Sequence, residues 1–187
     1  MQGRTVPARA IAVAAALGLA AAPALAAEPA PAAPKTMGFT PKTYVDGPVL
    51  QVILGERALF RLDDSGNPVL ESVEKGQLAV AHPAGAVSET FKPPAFGAMG
   101  VALDGSAEKK ASSIKVWNGT GRPVQYRAVV LVLHGETLRP VAVPTCPVAP
   151  GATRIESWPA PIVAVGLSRF KAATKAALAQ PACKKGK

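Results

Sequence analysis

From residue 43 onward, apolar and polar positions alternate in short runs that turn residues interrupt. A period near two is that of strands, whose successive side chains point to opposite faces of a sheet. Residues 49–54 and 57–62 are two such runs. The stretch Asp63-Asp64-Ser65-Gly66-Asn67-Pro68 follows them and is dense in residues that favour turns. A strand over 69–74 then completes a hairpin. Lys75-Gly76 reads as a turn into a further strand over 77–81, and the Pro- and Gly-broken stretch 82–96 as a loop. Residues 97–103 form the next strand, with Asp104-Gly105-Ser106 as its turn and a polar stretch over 108–112.

The second half alternates more cleanly. Residues 113–117 place Ile114 and Val116 on one face and Lys115 on the other, and Asn118-Gly119-Thr120-Gly121 turns the chain. The longest run covers 124–134, with Val124, Tyr126, Ala128, Val130 and Val132 on a wholly apolar face. Its other face starts polar at Gln125 and Arg127 and becomes apolar at Val129, Leu131 and Leu133. That asymmetry predicts a central strand covered on both sides at one end. Further strands are expected over 138–143, 152–158 and 162–170, the last with Val163, Val165 and Leu167 on one face.

Roughly eight or nine short strands with turns about every 8–12 residues predict an all-β fold, a sandwich or a barrel. Loops of hairpin length make the pairing antiparallel. An immunoglobulin-like β-sandwich is the expected architecture and a small β-barrel the alternative. The strands at Trp117 and Val124 are expected on facing sheets. The Cys-Trp-Cys spacing of antibody-type domains is absent, and no internal repeat is present. Beyond Arg169 the pattern changes: residues 170–180 are Ala-rich, with Lys171 and Lys175 four apart, and predict a short helix stopped by Pro181. Lys184-Lys185-Gly186-Lys187 reads as a flexible end.

The N-terminus carries an export pattern. Arg4 and Arg9 precede an apolar stretch over 10–25, Pro23 breaks it, and Ala24-Leu25-Ala26 supplies small residues for cleavage before Ala27. The alternative, an uncleaved anchor, would need a more hydrophobic span than this Ala-rich one. Residues 1–26 are therefore expected to be a signal peptide, 27–42 a Pro/Ala-rich linker, 43–170 the sandwich, and 171–187 a basic helical or flexible tail. No transmembrane span is expected after cleavage, and the expected location is periplasmic or secreted. The first cysteine is Cys146, so no lipid-modified cysteine follows the cut.

Charge refines the picture. The chain has 21 basic and 12 acidic residues, a net charge of +9. Much of the excess lies in Arg169, Lys171, Lys175, Lys184, Lys185 and Lys187, with no acid after Glu156. A near-neutral domain with a cationic end does not offer the broad basic face that nucleic acids require, and no aromatics interleave with the lysines for base stacking. The partner expected is an anionic envelope component or an acidic protein, and no nucleic acid.

Two cysteines in an exported chain most simply pair, Cys146 with Cys183. The other reading, a reactive Cys146 in its Pro-Thr-Cys-Pro context, would need His82 or His134 as base. Neither histidine has a second ligand at metal spacing, Asp63-Asp64 lacks the alternation of a calcium loop, and Gly97, Gly100 and Gly105 do not form a phosphate-binding fingerprint. No cofactor or metal is expected. Asn118-Gly119-Thr120 matches a glycosylation acceptor, but Asn-Gly is also a strong turn former. Trp158, stiffened by Pro159 and Pro161, is a candidate docking point, with burial as its other fate. The expected function is a non-enzymatic binding or interaction module with Trp158, Lys171, Lys175, Lys184, Lys185 and Lys187 as binding residues. The alternatives are a hydrolase or transferase whose histidines and acids converge, and a chaperone-like subunit with an open sheet edge.

Overall fold

The structure is a computed structural model and describes residues 39–180 and Cys183. The expected leader, most of the linker, and Lys184, Lys185 and Lys187 lie outside the described residues.

Among the described residues ten strands run β1 Tyr44–Asp46, β2 Val49–Ile53, β3 Glu56–Leu62, β4 Pro68–Lys75, β5 Met99–Ser106, β6 Ala111–Asn118, β7 Val124–His134, β8 Thr137–Val143, β9 Thr153–Trp158 and β10 Ile162–Ala172. A four-residue helix, α1, covers Lys175–Leu178. The strands make two five-stranded sheets, A in the order β1-β2-β10-β7-β8 and B in the order β4-β3-β5-β6-β9. Every named pair is antiparallel. This is an all-β sandwich, and neither sheet closes into the alternative barrel.

The alternation that marks the strands also builds the core. Leu50 and Val52 of β2, Val165 and Leu167 of β10, and Tyr126, Ala128 and Val130 of β7 face inward from sheet A. Phe60, Met99, Val101, Leu103, Ile114 and Val116 meet them from sheet B. Strands β6 and β7 do lie in facing sheets, because the Asn118–Pro123 turn crosses from one to the other. Asn118 makes that crossing rigid. It is 1% exposed, and its Nδ2 donates to the carbonyls of Arg122, Val148 and Ala149. The Asn-Gly segment is a turn bracketed by its own amide, not an exposed acceptor.

Four expectations are corrected. Residues 77–81 are not a strand. Ala79–Ala81 is a 3-10 turn within a segment, 76–98, that lies across the outer face of sheet B. Leu78, Ala81 and Phe91 pack there on Ala102 and Trp117 as a second core. The apolar run 78–81 buries itself by covering a sheet face, which gives it no strand partner. Second, Asp104-Gly105-Ser106 is no turn: β5 continues through it, pairing Ser106 with Ala111, and the chain reverses over 107–110. Third, residues 170–180 are not one helix. Strand β10 runs on to Ala172 because Phe170 packs in the core, 5.4 Å from the Phe60 ring and 6.0 Å from the Tyr126 ring. Within 170–180 the helical residues are those of α1, where Thr174 Oγ1 accepts the N–H of Ala177. Fourth, the second apolar face of β7 is not covered, since Val129 and Leu133 are 40% and 41% exposed.

Candidate functional site

The outer face of sheet A gathers cations at one end, and one extra residue in β10 is the cause. Ser168 pairs with Arg127, yet Lys171 pairs with Gln125, so β10 spends three steps where β7 spends two. Arg169 is the additional residue, with φ 56°. A β-bulge of this kind ordinarily places glycine at the left-handed position, since a side chain there costs about 1–2 kcal/mol. Its effect on side-chain direction is decisive. Without the bulge, strict alternation from buried Leu167 would turn Phe170 outward and Lys171 inward. With it, Phe170 enters the core and Lys171 joins Arg127 and Arg169 on the surface.

Arg127, Arg169 and Lys171 line a cleft of about 440 Å³ together with Gln125, Thr145 and Gln180. A second hollow of about 510 Å³ shares Arg127, Thr145 and Arg169 and continues over Val129, Ala142 and Ser168. All three cations are exposed. Among the described residues the ion pairs are Arg57–Glu74, Arg61–Glu71 and Lys115–Glu89, His82 contacts Asp104, and none of these engages the three cations or Lys175. The arrangement offers two guanidinium forks and one ammonium to an anion, a set suited to carboxylate, phosphate or sulfate oxygens.

The cleft wall is held from behind. Cys146 and Cys183 form a disulfide, which ties the segment after α1 to the loop between β8 and β9. Arg154 Nη1 donates to the Cys183 carbonyl at 2.5 Å, and Thr145 Oγ1 donates to the Tyr126 carbonyl at 2.6 Å. Glu156, pointing inward from the edge strand β9, accepts the Cys146 N–H at 3.1 Å. Burial pushes the Glu156 carboxyl above its ordinary range, against the lowering effects of that hydrogen bond and of Arg154. Burial likewise pushes the Tyr126 phenol up, and its hydroxyl has no hydrogen-bond partner among the described residues. Inward-pointing charge on an edge strand such as β9 discourages sheet-to-sheet pairing with other chains.

The residues expected to bind are placed as follows. Lys171 lines the cleft, and Lys175 stands exposed at the first position of α1. Trp158 is half-buried and packs against the main core from β9. Lys184, Lys185 and Lys187 lie outside the described residues. The two histidines are not brought together. His134 is exposed at the tip of the β7–β8 hairpin in sheet A, whereas His82 lies over sheet B with its Nε2 2.9 Å from Asp104 Oδ2. Asp104 is 5% exposed and also accepts the N–H groups of Leu78 and Gly105, so it works as the clasp of the 76–98 segment. Asp63 closes its own turn by accepting from Ser65 and Asn67 N–H, which holds its carboxyl below the ordinary range.

Arg127, Arg169, Gln125 and Thr145 are the site residues that sequence reasoning did not group. Arg127 was visible as the polar end of an outer strand face. Nothing at Arg169 marks a bulge, because the glycine that usually announces one is absent. Among the described residues, no helix is long and apolar enough to cross a membrane.

Fold and site together define an antiparallel β-sandwich with a disulfide-tied C-terminal segment and a cationic cleft on one outer sheet face. No family model matches the chain, and no match was found among curated proteins or solved structures.

Proposed function

We propose that this protein is an exported, non-enzymatic binding module, an immunoglobulin-like sandwich working in the periplasm or outside the cell, that holds anionic material at the Arg127–Arg169–Lys171 cleft. The observation that carries this reading is the bulge. An arginine occupies a backbone position that favours glycine, and the same bulge turns Lys171 out beside Arg127. Left-handed non-glycine residues are uncommon and their strain is retained where a side chain is needed. Export is supported by the leader-like residues 1–26 and by a disulfide that suits an oxidising compartment.

Arg169→Gly tests the reading directly, because glycine accepts the φ and removes only the cation. The ligand probe is immobilised dextran sulfate at low and high salt. The wild-type protein is expected to be retained at low salt and released at high salt, as screened surface charges require. Arg169→Gly is expected to elute several-fold earlier in the gradient, while its melting temperature stays the same or rises. Retention unchanged in Arg169→Gly and in Arg127→Gln/Lys171→Gln would overturn the proposal.

A further inference from the structure

Phe96 leaves 85% of its surface in water, far more than the next large apolar side chain, Val69 at 52%. The loop that displays it is stapled down on both sides. Gly97 N–H donates to the Gly119 carbonyl at 2.8 Å, and Gly119 N–H donates to the Ala98 carbonyl at 2.9 Å. The approach is so close that a Cβ on Gly119 would stand 2.7 Å from the Ala95 carbonyl oxygen. Pro93 and Pro94 stiffen the entry to the loop, and the buried Arg57 holds its base by donating to the Lys92 carbonyl. An aromatic ring fixed in this way is a presented surface, since nothing in the fold is gained by leaving it out.

The strand registers say which end of the sandwich it occupies. Met99 pairs with Asn118 and with Phe60, so the Phe96 loop sits at the end where β6 finishes and β7 begins. That end also carries Lys171, which pairs beside Gln125 at the start of β7, and therefore the cationic cleft. Arg122 stands on the β6–β7 turn and Lys92 at the base of the Phe96 loop, both exposed. The acids at this end are Asp46 at the β1–β2 turn, which pairs with Val49 beside Ser168, and Asp63 and Asp64 of the β3–β4 turn, while Arg61 and Glu71 neutralise each other. One exposed aromatic therefore shares an end with five cations, Lys92, Arg122, Arg127, Arg169 and Lys171, against three acids, Asp46, Asp63 and Asp64.

We propose that this end of the sandwich seats on an anionic lipid bilayer, with Phe96 inserted below the headgroups and the cations on lipid phosphates. The inference rests on the binding reading above and names its partner. A soluble polyanion would use the cations but leave Phe96 without a role, whereas a bilayer surface offers both anionic headgroups and an apolar layer. Peripheral attachment ordinarily needs two such contributions, one apolar and one electrostatic.

The test is co-sedimentation of the full exported protein with vesicles of phosphatidylglycerol and phosphatidylcholine, beside vesicles of phosphatidylcholine alone and the dextran sulfate matrix. Binding is expected on the anionic vesicles and not on the neutral ones. Phe96→Ser is expected to weaken vesicle binding by about tenfold and to leave dextran sulfate retention unchanged. Phe96→Trp is expected to keep vesicle binding and to show fluorescence quenched by brominated acyl chains, over the background of the same protein without the substitution. Equal vesicle binding by wild type and Phe96→Ser, or no added quenching in Phe96→Trp, overturns the insertion and leaves the cleft standing. Binding to neither vesicles nor dextran sulfate overturns both.

Discussion

Replacing Cys146 and Cys183 together by alanine asks how the C-terminal segment is held. The bond spans a sequence separation of 37. Cross-linking a loop of that length removes unfolded-chain entropy worth about 4 kcal/mol at 25 °C in the chain-entropy treatment. The structure reduces that figure. Strand β10, inside the loop, is fixed by β2 and β7 whether or not the bond exists. The segment beyond it is different, because α1 buries no side chain. Without the disulfide this segment can leave the domain in the native state as well, and the freedom it regains there, about 1 kcal/mol or more per residue, offsets the freedom gained by the unfolded chain. The expected loss is therefore about 2–4 kcal/mol. For a domain of this size each kcal/mol moves the melting temperature by about 2–4 °C, so the double variant is expected to melt roughly 5–15 °C lower. Calorimetry and urea titration of the oxidised wild type and the variant measure it, and reducing the wild type should reproduce the variant. A shift under about 2 °C would show that the bond constrains nothing in the unfolded chain. Failure of the variant to fold at all would refute the reasoning from the other side, since it would make the segment part of the core.

Three further outcomes follow from the geometry. Arg57 is 4% exposed, its guanidinium 5.2 Å from the Phe91 ring centre and 5.6 Å from that of Trp117, with Nη2 2.6 Å from Glu74. Arg57→Ala is expected to cost about 3–4 kcal/mol in urea unfolding and to speed amide exchange across 77–92 before the sheets open; a cost below about 1 kcal/mol would sink the view that it pins this segment. Glu156 has its folded pKa raised above the ordinary 4.5, so the native state binds more protons and this group's favourable contribution, present below 4.5, is lost as pH rises through the folded value. Glu156→Gln keeps an acceptor for the Cys146 N–H, so it is expected to match or exceed the wild type in stability at neutral pH, with the advantage gone in acid; a less stable variant at neutral pH would contradict the cause assigned. Asp63 has the opposite sign: its pKa is lowered below 3.8, and Asp63→Asn is expected to flatten the loss of hairpin order that the wild type shows as pH falls through that range, as read from amide shifts of Ser65 and Asn67.

Most of the fold was legible because strands write a period of two into the sequence wherever one face meets a core. The run over 124–134 became β7 with the same limits, and 57–62 became β3 with one residue more. The expectations failed where an apolar run answers to something other than a neighbouring strand. Leu78 and Ala81 are as buried as core residues, but their partner is the outer face of sheet B. Asp104 resembles a turn residue because buried aspartates are rare in strands, and it is tolerated in β5 because Leu78 N–H, Gly105 N–H and His82 satisfy it. The helical composition of 170–180 was outweighed by a single residue, Phe170, whose burial extends β10 past the point where alanines begin.

The cleft was harder to see for a related reason. Net charge pointed to the chain's end, because charge counts are one-dimensional and the excess lies after Glu156. What brings cations together is register. Arg127 lies more than forty positions before Lys171, and they share a face only because one residue of β10 drops out of the alternation. Had that residue been glycine, the bulge would have been expected from sequence; because it is Arg169, the same side chain hides the bulge and adds to the charge the bulge assembles. The lysines of the tail and the cations of the cleft are then separable by experiment. Truncating 184–187 removes the terminal lysines, whereas Arg169→Gly removes one member of a cluster that the folded sheet assembles. A binding activity that survives truncation and fails in Arg169→Gly belongs to the sandwich, and one with the reverse pattern belongs to the tail.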